Sequence, residues 1–267
     1  MDVLSVSREQ EAFVSRLRGA VKRFEEKGLV TRIGFVDELT YRLAKQFFSE
    51  NYFHDYSAIL LRPDSSRRFL TVGSTTYDES EICYVHAKPD KFHSPSHRDY
   101  MGALMSLQID RKLFGDIAVT ENSDAFFAVW DKGDIVEHLI SNFTECGSSR
   151  LRLEVVSGER FKSLEIQYDR KELVVSSLRA DCVFSSIANV SRSQAKRFVE
   201  NGDFKVFSCS VTDSDFRISN GDVFSIRGFG KYRFIGIIGS TRSERLRIEL
   251  LKFGNYIERK TTHDSTS

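Results

Sequence analysis

The chain has 267 residues, 40% of them apolar and 29% charged, with 22 Phe, 9 Tyr and one Trp. That composition excludes a disordered chain and allows one large domain or two to three small ones. The net charge of +1 conceals an asymmetry: Lys171 to Lys260 carries 16 Lys or Arg against 10 Asp or Glu, so the C-terminal third is suited to a polyanion, or to an ordinary solvated surface, and the rest is acidic.

Phe13, Leu17, Ala20, Val21 and Phe24 recur at helical spacing, which predicts a helix over Arg8–Lys27 closed by Gly28. A second helix is predicted from Asp37, with Leu39, Leu43, Phe47 and Phe48 inward. Two strands follow at 56–61 and 68–72 around a Pro-Asp-Ser-Ser turn. A second unit opens with the strand ICYVHA, then a helix over 98–108 with Met101, Leu104, Met105 and Leu107 apolar, strands at 115–120 and 125–130, a helix at 132–143 and a strand at 150–156. The order β-α-β-β-α-β is that of a split βαβ sandwich, RRM-like in topology. Tyr84 is a candidate stacking aromatic on its sheet, although the full aromatic signature of an RNA-recognition sheet is missing. Residues 161–175 read as a connecting strand or extended linker.

The predicted class is therefore α+β. It comprises a small α+β domain over 1–78, an RRM-like domain over 79–170, a C-terminal domain over 171–260, whose basic residues are suited to RNA, and a polar tail over 261–267. The third domain holds the densest chemistry. Ser191 is placed to cap a helix that turns Ala195 and Phe198 or Val199 inward, with Arg192, Ser193, Lys196 and Arg197 along an exposed side. Free amides at such a helix start favour phosphate, and Asn201-Gly202 stops it. Arg179 can contact phosphate and Asp181 can cap the helix that follows, or else Asp181 forms a structural pair with Arg179 or with Arg192. After the second turn, Arg227, Lys231 and Arg233 add charge around a Gly-Phe-Gly bend that lacks the spacing of a dinucleotide fingerprint. In TRSERLRIEL, Leu246, Ile248 and Leu250 alternate inward against Arg245, Arg247 and Glu249. Arg242 and Arg245 there either extend an RNA surface or solvate a strand face. His97, Arg98, Arg111 and Lys112 are possible additional contacts in the middle unit. Contacts of this kind locate a protein on RNA by phosphate and shape, and weaken with salt.

Other chemistry is poorly supported. His97, Arg98 and Asp99 are adjacent and do not converge on one helix face, and Asp99 or Ser96 reads as a cap. His54 with Asp55, and His86 with His93 and His97, lack a metal-ligand pattern, and no nucleophile elbow or phosphate-cradling lysine loop occurs. No catalytic residue, cofactor or metal is predicted. Cys83, Cys146, Cys182 and Cys209 form no CxxC pair and read as reduced, mostly buried thiols. No leader pattern or membrane-length apolar run is present, so a cytoplasmic location is expected.

Over 177–234 the segments LRAD, SRSQAKRFVENGDFKVF and NGDVFSIRGFGKYRF resemble the RNA-binding domain named after ribosomal protein four of the small subunit. SHRDYMGALMSLQIDRKLFGDIAV resembles the HRD…GAL…I-R…GDI pattern of the YlmH-type family, with Gln108 where that family often has Gly. The two segments in order make the chain similar to that bacterial cytoplasmic family over most of its length. The resemblance implies that Arg179, Asp181, Ser191, Arg192, Ser193, Lys196 and Arg197 match the helix-centred RNA surface. Asn201 and Gly202 match its turn, and Gly221, Asp222, Arg227, Gly228, Gly230 and Lys231 the second turn and strand. Ser208 and Ser210 stand where the family has an Asn and a Lys. It further implies a non-enzymatic adaptor, monomeric when free. Its partners would be large-subunit rRNA, tRNA and the peptidyl-tRNA–large-subunit complex, during rescue of stalled translation and C-terminal tailing. The family's genomic setting links it to cell division. The alternatives are an RNA-modifying enzyme with its catalytic unit in the N-terminal part, or a protein-interaction scaffold.

Overall fold

The computed structural model describes residues 8–76, 78–90, 93–207 and 209–258. Ser208 and the polar tail lie outside them. The fold is a mixture of α and β with three antiparallel sheets, divided into two compact units, residues 1–165 with 255–267 and residues 166–254.

The first unit starts with α1 (Arg8–Lys27) and α2 (Glu38–Glu50) on one side of a sheet ordered β1-β3-β2, with β1 Thr31–Asp37, β2 Tyr56–Leu60 and β3 Arg67–Val72. Gly28 adopts φ +65° and its amide closes α1 on the Phe24 carbonyl. Asp37 caps α2 by accepting from the Thr40 amide. Phe13, Leu17, Ala20, Ala44, Phe48, Leu70 and Val72 form the core between helices and sheet. Two details differ from the periodicity reading. Strand β1 was not predicted, and α2 turns Ala44 inward while Leu39 is 38% exposed.

The unit continues with β4 (Ile82–Pro89), α3 (His97–Ser106), β5 (Phe114–Val119), β6 (Ala125–Trp130), α4 (Ile135–Asn142), the short β7 (Glu145–Cys146), β8 (Ser149–Val156) and α5 (Gly158–Lys162). The sheet order β5-β6-β4-β8-β7 is that of a split βαβ fold with an added edge hairpin. Residues 161–175, read as a strand or linker, hold the end of α5 and then β9. Tyr100 and Leu104 are the buried residues of α3, whereas Met105 is 38% exposed.

The three-stranded sheet shares its second face with this fold. Phe35, Leu61 and Phe69 join the core that contains Ile82, Tyr84, Phe126 and Trp130, and Phe69 meets Trp130 edge-on at 5.5 Å. The start of β3 is tied to β5, because the Asp116 carboxylate accepts from the Ser66 and Arg67 amides at 2.7 and 3.0 Å. Gly34 makes the approach possible. It lies at φ +96° in a register break of β1, and a Cβ there would be 2.6 Å from the Lys112 carbonyl oxygen. Gly34→Ala is expected to cost about 1–3 kcal/mol, read as a lowered urea midpoint. An unchanged midpoint would show that β1 does not hold this bend in solution.

The second unit is built on a sheet ordered β11-β10-β12-β13-β14-β9. Its strands are β9 (Leu164–Val175), β10 (Phe204–Val206), β11 (Cys209–Val211), β12 (Val223–Ile226), β13 (Gly230–Ser240) and β14 (Leu246–Glu258). Helices α6 (Ala180–Ala188) and α7 (Arg192–Glu200) pack through Ala180, Val183, Phe184, Ala195 and Val199 onto Phe204, Phe224, Tyr232, Phe234, Ile248 and Leu250. Glu249, expected to point outward, is only 6% exposed and pairs with Arg170. Cys146 and Cys182 are buried, Cys83 and Cys209 half-buried, and none of the four is in a disulfide.

Candidate nucleic-acid interface

Helix α7 opens with a capping box. Ser191 Oγ accepts from the Gln194 amide at 3.3 Å, and Gln194 Oε1 accepts from the Ser191 amide at 3.2 Å. The third helical position is thus a neutral Gln, and the first turn carries no acid. Its positive end is left uncompensated on its own element. Ala195 and Val199 face the core, which leaves Arg192, Ser193, Lys196 and Arg197 exposed along one flank. Of the two inward candidates, Val199 is the buried one and Phe198 is 42% exposed.

The two pairs left open for Asp181, with Arg179 and with Arg192, occur at once. Asp181, with a side chain only 2% exposed, accepts from Arg179 through Nε and Nη2 at 3.1 Å each, and from Arg192 Nε at 2.9 Å. Burial alone would raise the Asp181 carboxyl, but hydrogen bonds from Arg179 and Arg192 outweigh it and hold the group at about 2. Arg179 also pairs with Asp215. The two guanidinium groups are therefore held by one carboxylate, with Arg192 still 57% exposed. Lys196 lies 3.7 Å from Glu200, a pair worth little at such exposure. Asn201 ends the helix, its amide bonded to the Arg197 carbonyl at 3.0 Å. Arg227 is 85% exposed and stands 3.5 Å from Asp203.

Lys231 and Arg233 lie elsewhere. They alternate with the buried Tyr232 and Phe234, so they occupy the sheet face turned away from α6 and α7. There Lys231 sits 4.8 Å from the Phe253 ring centre, and Arg233 5.6 and 5.8 Å from Phe253 and Tyr168. Ser225 pairs with both Lys205 and Lys231, which places the exposed Lys205 in the same row. Lys205, Tyr168 and Phe253 were not singled out from the sequence. The alternation of β14, with Leu250 inward, was the signal that would have placed Phe253 outward. Arg245 reaches the Val174 carbonyl at 3.4 Å, and Arg242 is exposed beside it in the β13–β14 turn.

In the middle fold the candidates divide by burial. His97 and Arg98 are exposed at the start of α3. Asp99 belongs to the cap, its carboxylate accepting from the Ser96 amide and hydroxyl at 2.8 and 2.7 Å. Lys112 pairs with Asp110 at 2.5 Å. Arg111 is half-buried and directed at the Phe114 and Gly115 carbonyls. Its guanidinium is thus engaged in the fold, and burial, with the Arg67 charge nearby, lowers it to about 10. Tyr84 does not offer a stacking face. It is 4% exposed, lies 4.8 Å from Phe161 of α5 and donates to Glu79. His86 is stacked on Phe126 at 4.2 Å, with its two nitrogens on Glu154 and Asp124 at 2.8 Å. The sheet surface that an RNA-recognition sheet would display is occupied here by the protein's own residues. Among the described residues, no three His, Cys, Asp or Glu side chains converge as a metal site, and no helix is long and apolar enough to cross a membrane.

Residues 78–160 match the family model described as "Putative RNA-binding domain in YlmH". The chain is 33% identical over 159 residues to the "Ribosome-associated protein quality control protein P2" of Bacillus subtilis (strain 168), a match covering 60% of this chain and 61% of that protein. The solved structure of "Cell division protein ylmH from Streptococcus pneumoniae" resembles it with a TM-score of 0.45 at 16% identity, covering 59% of this chain and 96% of that one. The part of the chain from β4 to α5 is thus similar to the RNA-binding domain described for YlmH, and 159 residues align with a protein of ribosome-associated quality control, of whose length the match spans less than two thirds.

Proposed function

We propose that the protein is a non-enzymatic RNA-binding adaptor that engages the large ribosomal subunit and tRNA during rescue of stalled translation and C-terminal tailing. The homology to a quality-control protein supports the ribosomal part of this reading. The observation that carries the RNA part is the flank of α7, where Arg192, Lys196 and Arg197 stand exposed beside a helix start with no acid in its own first turn. In this reading the residues at 171–260 act as a domain of the ribosomal-protein-four type. Arg179, Ser191, Ser193, Asn201 and Arg227 frame the phosphate path, and Lys231 and Arg233 serve a second contact on the outer sheet. His97, Arg98, Lys112, Arg242 and Arg245 are peripheral contacts. The partners are large-subunit rRNA, tRNA and the peptidyl-tRNA–large-subunit complex. A cytoplasmic location and a free monomer follow from that role.

Lys196 and Arg197 are the cleanest pair to remove, since Arg192 is also bound to Asp181. Lys196→Ala/Arg197→Ala is expected to weaken association with purified large subunits about tenfold near 0.1 M salt. It should also flatten the log–log salt slope by about 1.5, for two lost phosphate contacts. Co-sedimentation across a salt series measures both. Undiminished binding with an unchanged slope rejects this face.

A further inference from the structure

The aromatic residues beside α7 add a second kind of contact. Phe184, 1% exposed, lies parallel to Phe198 with ring centres 5.3 Å apart and planes 3° apart. The stack ends in solvent, because Phe198 is 42% exposed. Phe229, 38% exposed, meets Phe184 at 6.1 Å and 65°. Two partly open rings thus share one buried neighbour. Scattered exposed apolar side chains are ordinary, but these two are held in place by the fold. Gly228 and Gly230, at φ +83° and +114°, turn the chain sharply on either side of Phe229. Its amide bonds to the Ile226 carbonyl at 3.0 Å and its carbonyl accepts from the Tyr232 hydroxyl at 2.8 Å.

The surroundings are cationic. Asp203 donates its amide to the Phe198 carbonyl at 3.0 Å, and Arg227 donates its own to the Asp203 carbonyl at 3.0 Å. The Arg227 backbone is thus tied to that of Phe198 through Asp203, and its side chain, 85% exposed, stands 3.5 Å from the Asp203 carboxylate. Arg197, exposed, precedes Phe198 in α7, about 100° round the helix from it. A ring stack open at one end, in a unit with exposed arginines at 197 and 227, suits a flat, neutral π surface carried on a polyanion.

We infer that Phe198 and Phe229 receive one unpaired RNA base, while Arg197 and Arg227 hold phosphates of the same strand. This rests on the RNA-binding reading above and deepens it. The α7 flank would locate a backbone, and the aromatic pair would select RNA in which a base is splayed from its helix.

The test uses the full chain and two RNAs: a hairpin with 2-aminopurine in an unpaired loop, and a blunt duplex of the same stem. Phe198→Leu/Phe229→Leu keeps apolar packing on Phe184 and removes both rings. Phe229→Leu alone serves as the second variant, and the unfolding midpoints of both are compared with wild type. The double variant is expected to bind the hairpin about tenfold more weakly, to lose the 2-aminopurine quenching seen with wild type, and to keep its duplex affinity and salt slope. The single variant should show a smaller loss in the same direction. Equal hairpin affinity and quenching for wild type and variants overturns the stacking contact and leaves the adaptor reading standing. An equal loss on hairpin and duplex also overturns it, since selectivity for an unpaired base is then absent. Failure of the wild type to bind either RNA overturns both.

Discussion

Arg62→Ala is expected to destabilise the first unit by about 3 kcal/mol, read as a lowered urea midpoint at pH 7. The Arg62 side chain has no solvent exposure. Its guanidinium lies 4.8 Å from the Phe161 ring centre and 4.5 Å from that of Tyr256. Its Nε and Nη2 donate to Asp64 at 3.2 and 3.0 Å, and the Tyr256 hydroxyl donates to the same carboxylate at 2.5 Å. Removing one partner of a buried pair typically costs about 3–5 kcal/mol, because the other charge is left uncompensated. The lower end applies here, since Arg62 Nη1 already lacks an acceptor and its burial reduces the net value of the cluster. Burial would raise the Asp64 carboxyl, but the hydrogen bonds and charge of Arg62 outweigh it and leave the group below the ordinary range. The sign of the pH dependence follows. The contribution of Asp64 is complete above its unfolded value of about 4 and is lost as pH falls through the lower folded value. The gap between wild type and Arg62→Ala should therefore narrow below pH 4. A gap under about 1 kcal/mol at pH 7 would mean that the pair behaves as an exposed one.

This cluster also explains why the middle sheet departs from the expectation set by Tyr84. The β-α-β-β-α-β order was legible because each element carries its own periodicity and its own turn. What covers the second sheet face was not. Tyr84, Phe126 and Trp130 are the kind of residues that an open RNA-binding sheet displays, and they are equally the kind that a covered sheet buries. The covering residues Phe35, Leu61, Phe69, Phe161 and Tyr256 come from parts of the chain far apart in sequence. Local pattern carries no information about that pairing. Strand β1 was missed for a related reason. Its bulge at Gly34 puts Ile33 and Val36 in one core and Phe35 in another, so the strict alternation that signals a half-buried strand is broken. In α2, side-chain size misled: Leu39 near the helix start is exposed, and the close approach to the sheet is made by Ala44.

The basic residues of the second unit were legible as residue types but not as surfaces. The helical spacing from Ser191 fixed which side of α7 is wet, because Ala195 and Val199 leave few other solutions. Strand alternation likewise separated Lys231 and Arg233 from Tyr232 and Phe234. Nothing in either pattern said that the sheet's wet side is the one away from the helices. One run of cations in sequence thus became two faces of one unit. Phe198 shows the limit most clearly. Beside Val199 at the end of a short helix, it had a core position one residue away, and only its stacking on the buried Phe184 shows which side of it stays open.

Asp181→Asn separates holding from attraction, and its expected effect is the second large one. The substitution keeps the shape of the side chain and removes the charge shared by Arg179 and Arg192. The carboxylate is buried while both arginines remain partly in solvent, so a loss of about 3 kcal/mol, again the lower end for a broken buried pair, is expected in the urea midpoint at pH 7. With the folded group at about 2, the wild-type advantage is complete above about pH 4 and declines between pH 4 and 2. RNA affinity gives the sharper result. The variant gains one positive charge next to the α7 flank, so simple attraction predicts tighter binding with a steeper salt dependence. If Asp181 instead preorganises the two guanidinium groups for phosphate, freeing them makes each contact entropically costlier and binding should weaken several-fold although the surface is more positive. Titration of a structured RNA at two salt concentrations, under conditions where the variant remains folded, decides between them. Weaker binding makes Asp181 a positioning residue for Arg192, whereas tighter binding leaves it a stabilising residue beneath a surface that acts through charge alone.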